Sequence, residues 1–448
     1  MKIFFTILTL AAIFYAKPML AFQSLYYMGL QAGIIQIQDR SITQDTIITP
    51  SHTIFTDQHH KGITFGSNYG AIIGNLFIFD PWILAAELRV TLSEFNHTRK
   101  LLLNHFDLNE FYTLDHVTKM NNFYLLLIKP GYLLPSNAIL YTQFGVGYVS
   151  TKIDTLQNLN TANSIEGIQF SQRQKLPTGV FGLGLELLIS PNIALYYDFN
   201  FGFLKQLTLN KNQNVNGIPY HSAHQLDQLL FQAILGLKWY SHYEFKPTIN
   251  APLTGWYVGS GLGFMQANLT ERFLHFTSNQ TSFAVENRSA TLSPDVEVKA
   301  GRNFVLGKFV FFTEAFAAYH PLKAKQNPQI NLHISPDETG LVNEHLRTGP
   351  TLGVAVKPGL HYLNRVFFLT LGAGTTKLDT GHNKSIWPFL YLTGWGLETN
   401  LAPQLNLRAE YQLAFGNRIS DTHSGAMSTK TQKLVQQKGN LSLIYYIV

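Results

Sequence analysis

The most constraining feature of this sequence is an internal duplication. Five segments of the first half return in the same order in the second half. The longest match pairs GLGLELLISPNIALYYDFNFGF (182–203) with GWGLETNLAPQLNLRAEYQLAF (394–415). Another pairs AIIGNLFIFDPWILAAEL (71–88) with VKAGRNFVLGKFVFFTEA (298–315). Because internal repeats report repeated structural units, we expect one unit of about half the chain to occur twice.

The repeated segments alternate with a period of two. From Trp395 to Leu413, large apolar residues occupy most of the odd positions, whereas glycine, glutamate, arginine and glutamine occupy many of the even ones. The pattern continues on both sides of the turn signal Ala402-Pro403-Gln404. Strict alternation of this kind predicts β-strands that each present one apolar face.

Short and long connections alternate along the chain. Tight turns are predicted at Asp80-Pro81 and Ser190-Pro191-Asn192, and long polar loops from Gln38 to Asn68 and from His320 to Arg347. This arrangement is typical of outer-membrane barrels, whose strands need about 9–11 residues to span a bilayer. With 46% apolar and 13% charged residues, we predict an all-β, transmembrane antiparallel β-barrel protein of about 16 strands, in two repeats of eight.

The positions of the glycines indicate how wide the barrel is. Gly29, Gly145, Gly182, Gly259 and Gly394 all fall on the face opposite the large apolar residues. Small residues suit a crowded, narrow interior, which favours two tandem 8-stranded barrels. One 16-stranded barrel remains the alternative.

The predicted domain boundaries follow from the duplication and from the composition of the termini. Residues 1–21 carry Lys2 and an apolar run, and they are predicted to be a signal peptide. The first barrel repeat is assigned to residues 22–245, a linker with prolines to 246–253, and the second repeat to 254–448. The absence of cysteine suits a chain exported through an oxidising compartment.

Two motifs support a family resemblance. GWYVGSGLGFMQANLT resembles the first strand of OmpA-like and opacity-type small outer-membrane barrels, and LAPQLNLRAEYQLAF resembles their penultimate hairpin. The resemblance covers both halves and implies a non-enzymatic protein of the outer membrane of a Gram-negative-type bacterium. Members of this family usually end in phenylalanine, whereas this chain ends in Val448, with Tyr446 as a substitute aromatic residue.

Charged residues within the strands are the candidate site. On a lipid-facing surface they would cost up to about 2–4 kcal/mol each, so we expect them to point inward and to form a structural ion-pair network. The predicted members are Glu87, Arg89, Lys129, Glu186, Asp198, Glu314, Lys357, Glu398, Arg408 and Glu410. A proton or ion path and acid-base catalysis are the alternatives, but a catalytic pair would seldom be installed twice.

Other chemistry receives little support from the sequence. Two pairs of histidines, His59 with His60 and His221 with His224, lie in predicted loops without the partners of a closed metal site. The HSAH segment has no strand-held third member for lipid hydrolysis, and GSGLGF is not followed by a helix that could bind a dinucleotide. The net charge of +6 is scattered, so nucleic acid is not an expected partner. We predict no catalytic, metal or cofactor site.

The sequence leaves two functions open. The first is a surface antigen, adhesin or envelope-structural protein whose long extracellular loops contact host or envelope macromolecules, with outer-membrane lipid around the barrel. The second is a single 16-stranded, porin-like channel for small solutes. A barrel enzyme that acts on lipid is a third, less favoured reading.

Overall fold

A computed structural model describes most of the chain. It covers residues 23–48, 53–105, 110–134, 136–161, 164–190, 192–215, 218–241, 254–276, 282–320, 322–326, 344–362, 365–379, 385–417, 419–423 and 428–447. The regular structure of these residues consists of antiparallel strands. None of them forms a helix long and apolar enough to cross a membrane. The predicted signal peptide and linker lie outside the described residues.

The first barrel is formed by eight strands that follow one another in sequence. They are β1 (Gln23–Ile48), β2 (Thr53–Phe79), β3 (Trp82–His105), β4 (Glu110–Leu133), β5 (Ala138–Thr161), β6 (Ser164–Ser190), β7 (Ile193–Val215) and β8 (Ile218–Tyr240). Each strand pairs with the next, and β8 returns to pair with β1, for example Lys238 with Gly29. The sheet therefore closes on itself and has no free edge.

The second barrel also has eight strand positions, and at three of them the strand is divided into two shorter strands. Its strands are β9 (Gly255–Phe276), β10 (Ser282–Leu306), β11 (Phe309–Tyr319) with β12 (Leu322–Gln326), β13 (Glu344–Tyr362), β14 (Arg365–Asp379) with β15 (Ser385–Ile386), β16 (Phe389–Ala402), β17 (Leu405–Gly416) with β18 (Ile419–His423), and β19 (Ser428–Ile447). Pairing of β19 with β9 closes this barrel. The fold is therefore two closed 8-stranded barrels, and the alternative of one 16-stranded barrel is wrong.

The strands are longer than the sequence predicted. In the first barrel they run to 23–27 residues, where about 9–11 suffice to span a bilayer. The segment from Gln38 to Asn68, predicted as a loop, belongs largely to β1 and β2, which stay paired out to Ile48 and Thr53. That prediction was wrong because polar segments outside a hydrocarbon layer can pair their backbone groups without an apolar face.

Glycines in the barrel interiors make room for aromatic rings. A Cβ added to Gly74 would meet the phenol ring of Tyr27, and one added to Gly301 would meet that of Tyr257. The two pairs occupy equivalent places on the first and second strands of their barrels. The duplicated glycines are thus required by duplicated tyrosines that reach into the lumen.

The two barrels contact each other along one side. Leu185, Phe199 and Phe231 of the first barrel pack in one cluster with Leu397 and Tyr411 of the second. All five face outward from their own barrels, yet all are buried.

Further contacts join the barrels beyond this apolar cluster. The rings of Phe201 and Phe264 meet edge to face at 4.8 Å. Arg365 donates a hydrogen bond to the Ser136 carbonyl at 2.7 Å. Outward faces that an isolated barrel would present to lipid therefore form a protein interface here.

Candidate functional site: the charged barrel interiors

The interior of the first barrel contains a cluster of buried ion pairs around Glu87 on β3. Its carboxylate accepts hydrogen bonds from Arg89 at 2.7 Å, Lys129 at 2.8 Å and Tyr27 at 3.0 Å. Strand alternation places Glu87 and Arg89 on the same inward face. With several donors, this buried charge is compensated in the way that such a charge requires.

The cluster crosses the lumen. Asp198 lies on β7, on the wall opposite β3, and it binds Arg89, Lys129 at 3.4 Å and Tyr141 at 2.5 Å. Glu186 on β6 binds Lys238 at 2.6 Å and Tyr240. Three carboxylates and three cations thus neutralise one another inside the first barrel.

The second barrel contains an equivalent cluster. Glu314, which matches Glu87 in the duplication, accepts from Lys357 at 2.6 Å, Tyr257 at 2.9 Å and Arg408 at 2.5 Å. Arg408 also binds Glu398 at 2.6 Å.

Glu410 completes this cluster. It accepts from Lys357, Thr370 and Gln412, each at 2.8 Å. Both barrels have an ion pair across the lumen, but the positions of the positive and negative partners are exchanged. The arginine lies on β3 in the first barrel and on β17, the strand opposite β11, in the second.

A second group of charges extends the network only in the second barrel. Lys438 binds Asp295 at 2.8 Å and also binds Glu297, which in turn binds Lys299. His320 lies 3.4 Å from Asp295. Among the described interior side chains, this barrel therefore has five carboxylates and four lysine or arginine cations. Acids outnumber these cations by one, and His320 lies beside Asp295.

All ten residues predicted for the interior network point into a lumen. The structure brings Glu87, Arg89, Lys129, Glu186 and Asp198 together in the first barrel. It brings Glu314, Lys357, Glu398, Arg408 and Glu410 together in the second. Arg408, which shares the strand parity of Glu410, forms its ion pairs with Glu314 and Glu398.

Sequence reasoning missed part of the network. The missed members are Lys238, Asp295, Glu297, Lys299, His320 and Lys438, together with the inward tyrosines. In DVEVKAG the inward set Asp295, Glu297, Lys299 and Gly301 is visible from alternation alone. The duplication does not mark these charges, and Arg89 and Arg408, which also lack a charged counterpart, are predicted from their strand parity with Glu87 and Glu410.

Tyr446 has an interior role. Its hydroxyl donates to Glu398 at 2.8 Å and its side chain is buried in the second barrel. The neighbouring Tyr445 and Ile447 are the outward, exposed residues at this end of β19.

The arrangement supports structure more directly than chemistry. Arg89, Lys129, Lys357 and Arg408 are at most 1% exposed, and each bridges acids on different strands. Among the residues that the structure describes, no group of three or more metal-ligating side chains is placed to hold an ion. The charges fill the lumen and fasten opposite walls to each other.

No protein-family model matches this chain, and no curated protein matches its sequence. Among solved structures, Neisserial surface protein A is 8% identical over 43% of this chain and 98% of its own, with a TM-score of 0.24. A Pseudomonas aeruginosa FadL homologue is 9% identical over 94% and 90%, with a TM-score of 0.27. The attachment invasion locus protein Ail of Yersinia pestis is 12% identical over 46% and 97%, with a TM-score of 0.19. At these TM-scores the similarities carry no argument about function.

Proposed function

We propose that this chain is a non-enzymatic outer-membrane protein. It crosses the lipid as two sealed β-barrels and acts as a surface antigen or adhesin through the strands and connections that extend beyond the lipid. The observation that carries this proposal is the outer surface of the closed sheets. Away from the contact between the barrels, many of the outward side chains are large, apolar and exposed.

The exposed apolar surface is too extensive for a protein surrounded by water. Leu30, Ile73 and Val146 of the first barrel are 60%, 59% and 66% exposed, and Leu262 of the second is 69% exposed. Contiguous apolar surface of this extent marks contact with lipid or with another protein. Because both sheets are closed, their backbone polar groups are paired and can tolerate hydrocarbon.

Aromatic residues bracket this apolar surface. On β4, outward Tyr132 and Tyr124 lie eight residues apart, with Ile128 and Leu126 between them. Eight residues of strand measure about 26 Å, or roughly 20 Å in height at a tilt near 40°. Trp82 meets Tyr132 edge to face at 5.4 Å at the end with short turns. The spacing fits the aromatic girdles of a membrane barrel.

The filled interiors favour a contact function over transport. A porin needs a water-filled lumen, whereas here buried ion pairs join β3 to β7 and β11 to β17 across the lumen. The long ends of β1 to β8, in contrast, continue well beyond the apolar surface. These ends are the surface on which a macromolecular partner is expected to bind.

Single-cysteine labelling tests the location and orientation, since the chain contains no cysteine. Thr161→Cys lies at the far end of β5, and Lys308→Cys lies in the short connection between β10 and β11. We expect a membrane-impermeant maleimide to label the first variant in intact cells and the second only after permeabilisation. Equal labelling of both in intact cells would contradict the proposed orientation.

Two further measurements test the function. In planar bilayers the purified protein is expected to give no nanosiemens-scale steps, and such steps would support a channel instead. A variant in which a tight turn replaces residues 96–118 removes the distal part of the β3–β4 hairpin. We expect it to form the same heat-modifiable barrels but to reduce the adherence of expressing cells to a cell monolayer. Unchanged adherence by this variant and by matching truncations of the other hairpins would argue against an adhesin.

A further inference from the structure

A groove interrupts the apolar outer surface of the first barrel. It has a volume of about 730 Å³ and lies beside Gly179 of β6, between Val146 of β5 and Phe203 of β7. Gly179 faces outward and pairs with Val146. A Cβ at Gly179 would find no atom within 4 Å. The groove therefore exists because this outward position has no side chain.

A row of cations lies above the groove, on the side of the long connections. Lys119 pairs directly with Lys152, and Lys152 pairs directly with Arg173. Like charges that stand opposite each other on neighbouring strands repel and destabilise a sheet. An anion bound along this row would compensate the repulsion between its cations.

Two more cations extend the row toward the groove. Lys175 lies two residues from Arg173 on the same exposed face, and Lys205 of β7 lines the groove itself. Tyr124 and Tyr148 pair between the apolar floor and the cations, and both are exposed. From the bilayer outward, the surface thus changes from apolar to aromatic to cationic, as an anionic amphiphile requires.

Acids compensate this patch only in part. Asp154 accepts a hydrogen bond from Lys152 at 2.8 Å, and this bond lowers the pKa of the carboxyl group. Asp227 lies on the neighbouring strand β8. Among the described side chains facing outward here, five cations therefore face two carboxylates.

The second barrel provides an internal comparison. The pair Val146 and Gly179 corresponds to Ala373 and Tyr391, so an exposed tyrosine occupies the place of the groove. Lys175 and Arg173 precede the matched segment that begins at Gly182. At the same distances before Gly394, where the matching segment begins, the second barrel has Trp387 and Ser385. The open position at Gly179 and the cations Arg173 and Lys175 are thus specific to the first barrel and are not required by the fold.

We propose that this groove binds lipid A, the phosphorylated and multiply acylated glucosamine disaccharide of the outer leaflet, a proposal that rests on the outer-membrane location above. An acyl chain lies over Gly179, and the phosphates contact the cationic row. Four neighbouring strands carry the cations, which gives a width of about 14 Å at roughly 4.8 Å per strand. This width suits a headgroup with a phosphate at each end better than a single phosphodiester.

Binding is tested with the purified full-length protein in detergent, using native mass spectrometry with added lipid A or phosphatidylglycerol. The wild type is expected to retain lipid A in preference to phosphatidylglycerol. In the triple variant Arg173→Gln, Lys175→Gln, Lys205→Gln, we expect a loss of about fivefold per cation, or of the order of 100-fold in affinity. Gly179→Tyr, which copies the second barrel, is expected to lose at least about tenfold because it fills the acyl site.

Lys377→Gln is the matched control. Lys377 is the second-barrel counterpart of Lys152 in the matching segments GVGYVSTKID and GAGTTKLD, and it lies 3.9 Å from Asp379. On the strand next to it, exposed Tyr391 takes the place of Gly179. Its lipid A affinity should equal that of the wild type. Equal retention of the two lipids by the wild type, or undiminished lipid A binding by both groove variants, would overturn the proposal. Because this test uses purified protein, its failure is distinct from a failure of the cysteine-labelling test of location.

Discussion

The ring of Phe199 in the first barrel lies against the main chain of Gly439 in the second. A Cβ at Gly439 would overlap that ring. Both residues face outward from their own barrels, and Phe199 also stacks edge to face on Phe231 at 4.4 Å. The glycine therefore lets the two barrel walls approach each other more closely than any side chain would permit.

Replacing Gly439 tests whether the barrels are held together. Gly439→Leu is expected to push the two barrel surfaces apart locally, at a cost in stability of about 1–3 kcal/mol from overpacking. The folded, heat-modifiable form of this variant should therefore be lost at a lower temperature than that of the wild type. Gly179→Leu is the control, since it also adds a side chain to an outward glycine but in open space. Equal effects of the two substitutions would show that the barrels do not depend on this contact.

Polar side chains at the same interface give a second prediction. Tyr411 donates to Gln437 at 2.7 Å, and Gln437 donates to Gln266 at 3.3 Å, although all three project outward from the second barrel. Tyr411→Phe would leave the buried Gln437 acceptor without its partner, at a cost of about 1–3 kcal/mol.

Tyr445→Phe is the matched control for this substitution. It removes an exposed hydroxyl that donates to Gln404 at 2.7 Å, and it should change stability by less than about 0.5 kcal/mol. Thermal denaturation in detergent compares the two variants. A neutral Tyr411→Phe variant would show that water or detergent already reaches this interface.

The buried arginine of the second barrel gives the largest expected effect. Arg408→Gln leaves Glu314 and Glu398 without their shared partner, and breaking a buried ion pair in this way costs about 3–5 kcal/mol. Lys377→Gln removes a partly exposed cation 3.9 Å from Asp379, for which less than about 1 kcal/mol is expected. Urea titration of the heat-modifiable form measures both. A loss for Arg408→Gln no larger than that of the control would contradict a structural role for the network.

The duplication and the period of two were sufficient to predict the barrel and the inward direction of its charges. Glu186 and Glu398 are visible because alternation places each opposite an apolar face and the repeat places one in each half. Lys238 and Glu297 obey the same alternation but have no charged counterpart in the other half. The repeat thus identified the part of the network that both barrels share.

The contact between the barrels could not be predicted in the same way. Phe199 and Leu397 are apolar and outward, and that pattern is the same whether lipid or another barrel lies beside them. The informative residues are the exceptions, such as Gln437 and Gly439 among outward apolar neighbours on β19. Strand length was missed for a related reason, because polar hairpin ends carry no apolar alternation to mark them.

The self-contained pairing of each barrel leads to a last prediction. In the first barrel, β1 pairs with both β2 and β8, and the described ion pairs of its interior join residues of that barrel alone. Residues 22–245 expressed alone should therefore form a compact, heat-modifiable species in detergent. The detergent can cover the apolar residues around Phe199 that the second barrel covers in the full-length protein. The matched sample is the same segment with Arg89→Gln, which leaves Glu87 and Asp198 without their arginine and should unfold at lower urea. If residues 22–245 give only aggregates whose electrophoretic mobility does not change on heating, the first barrel needs the second in order to fold.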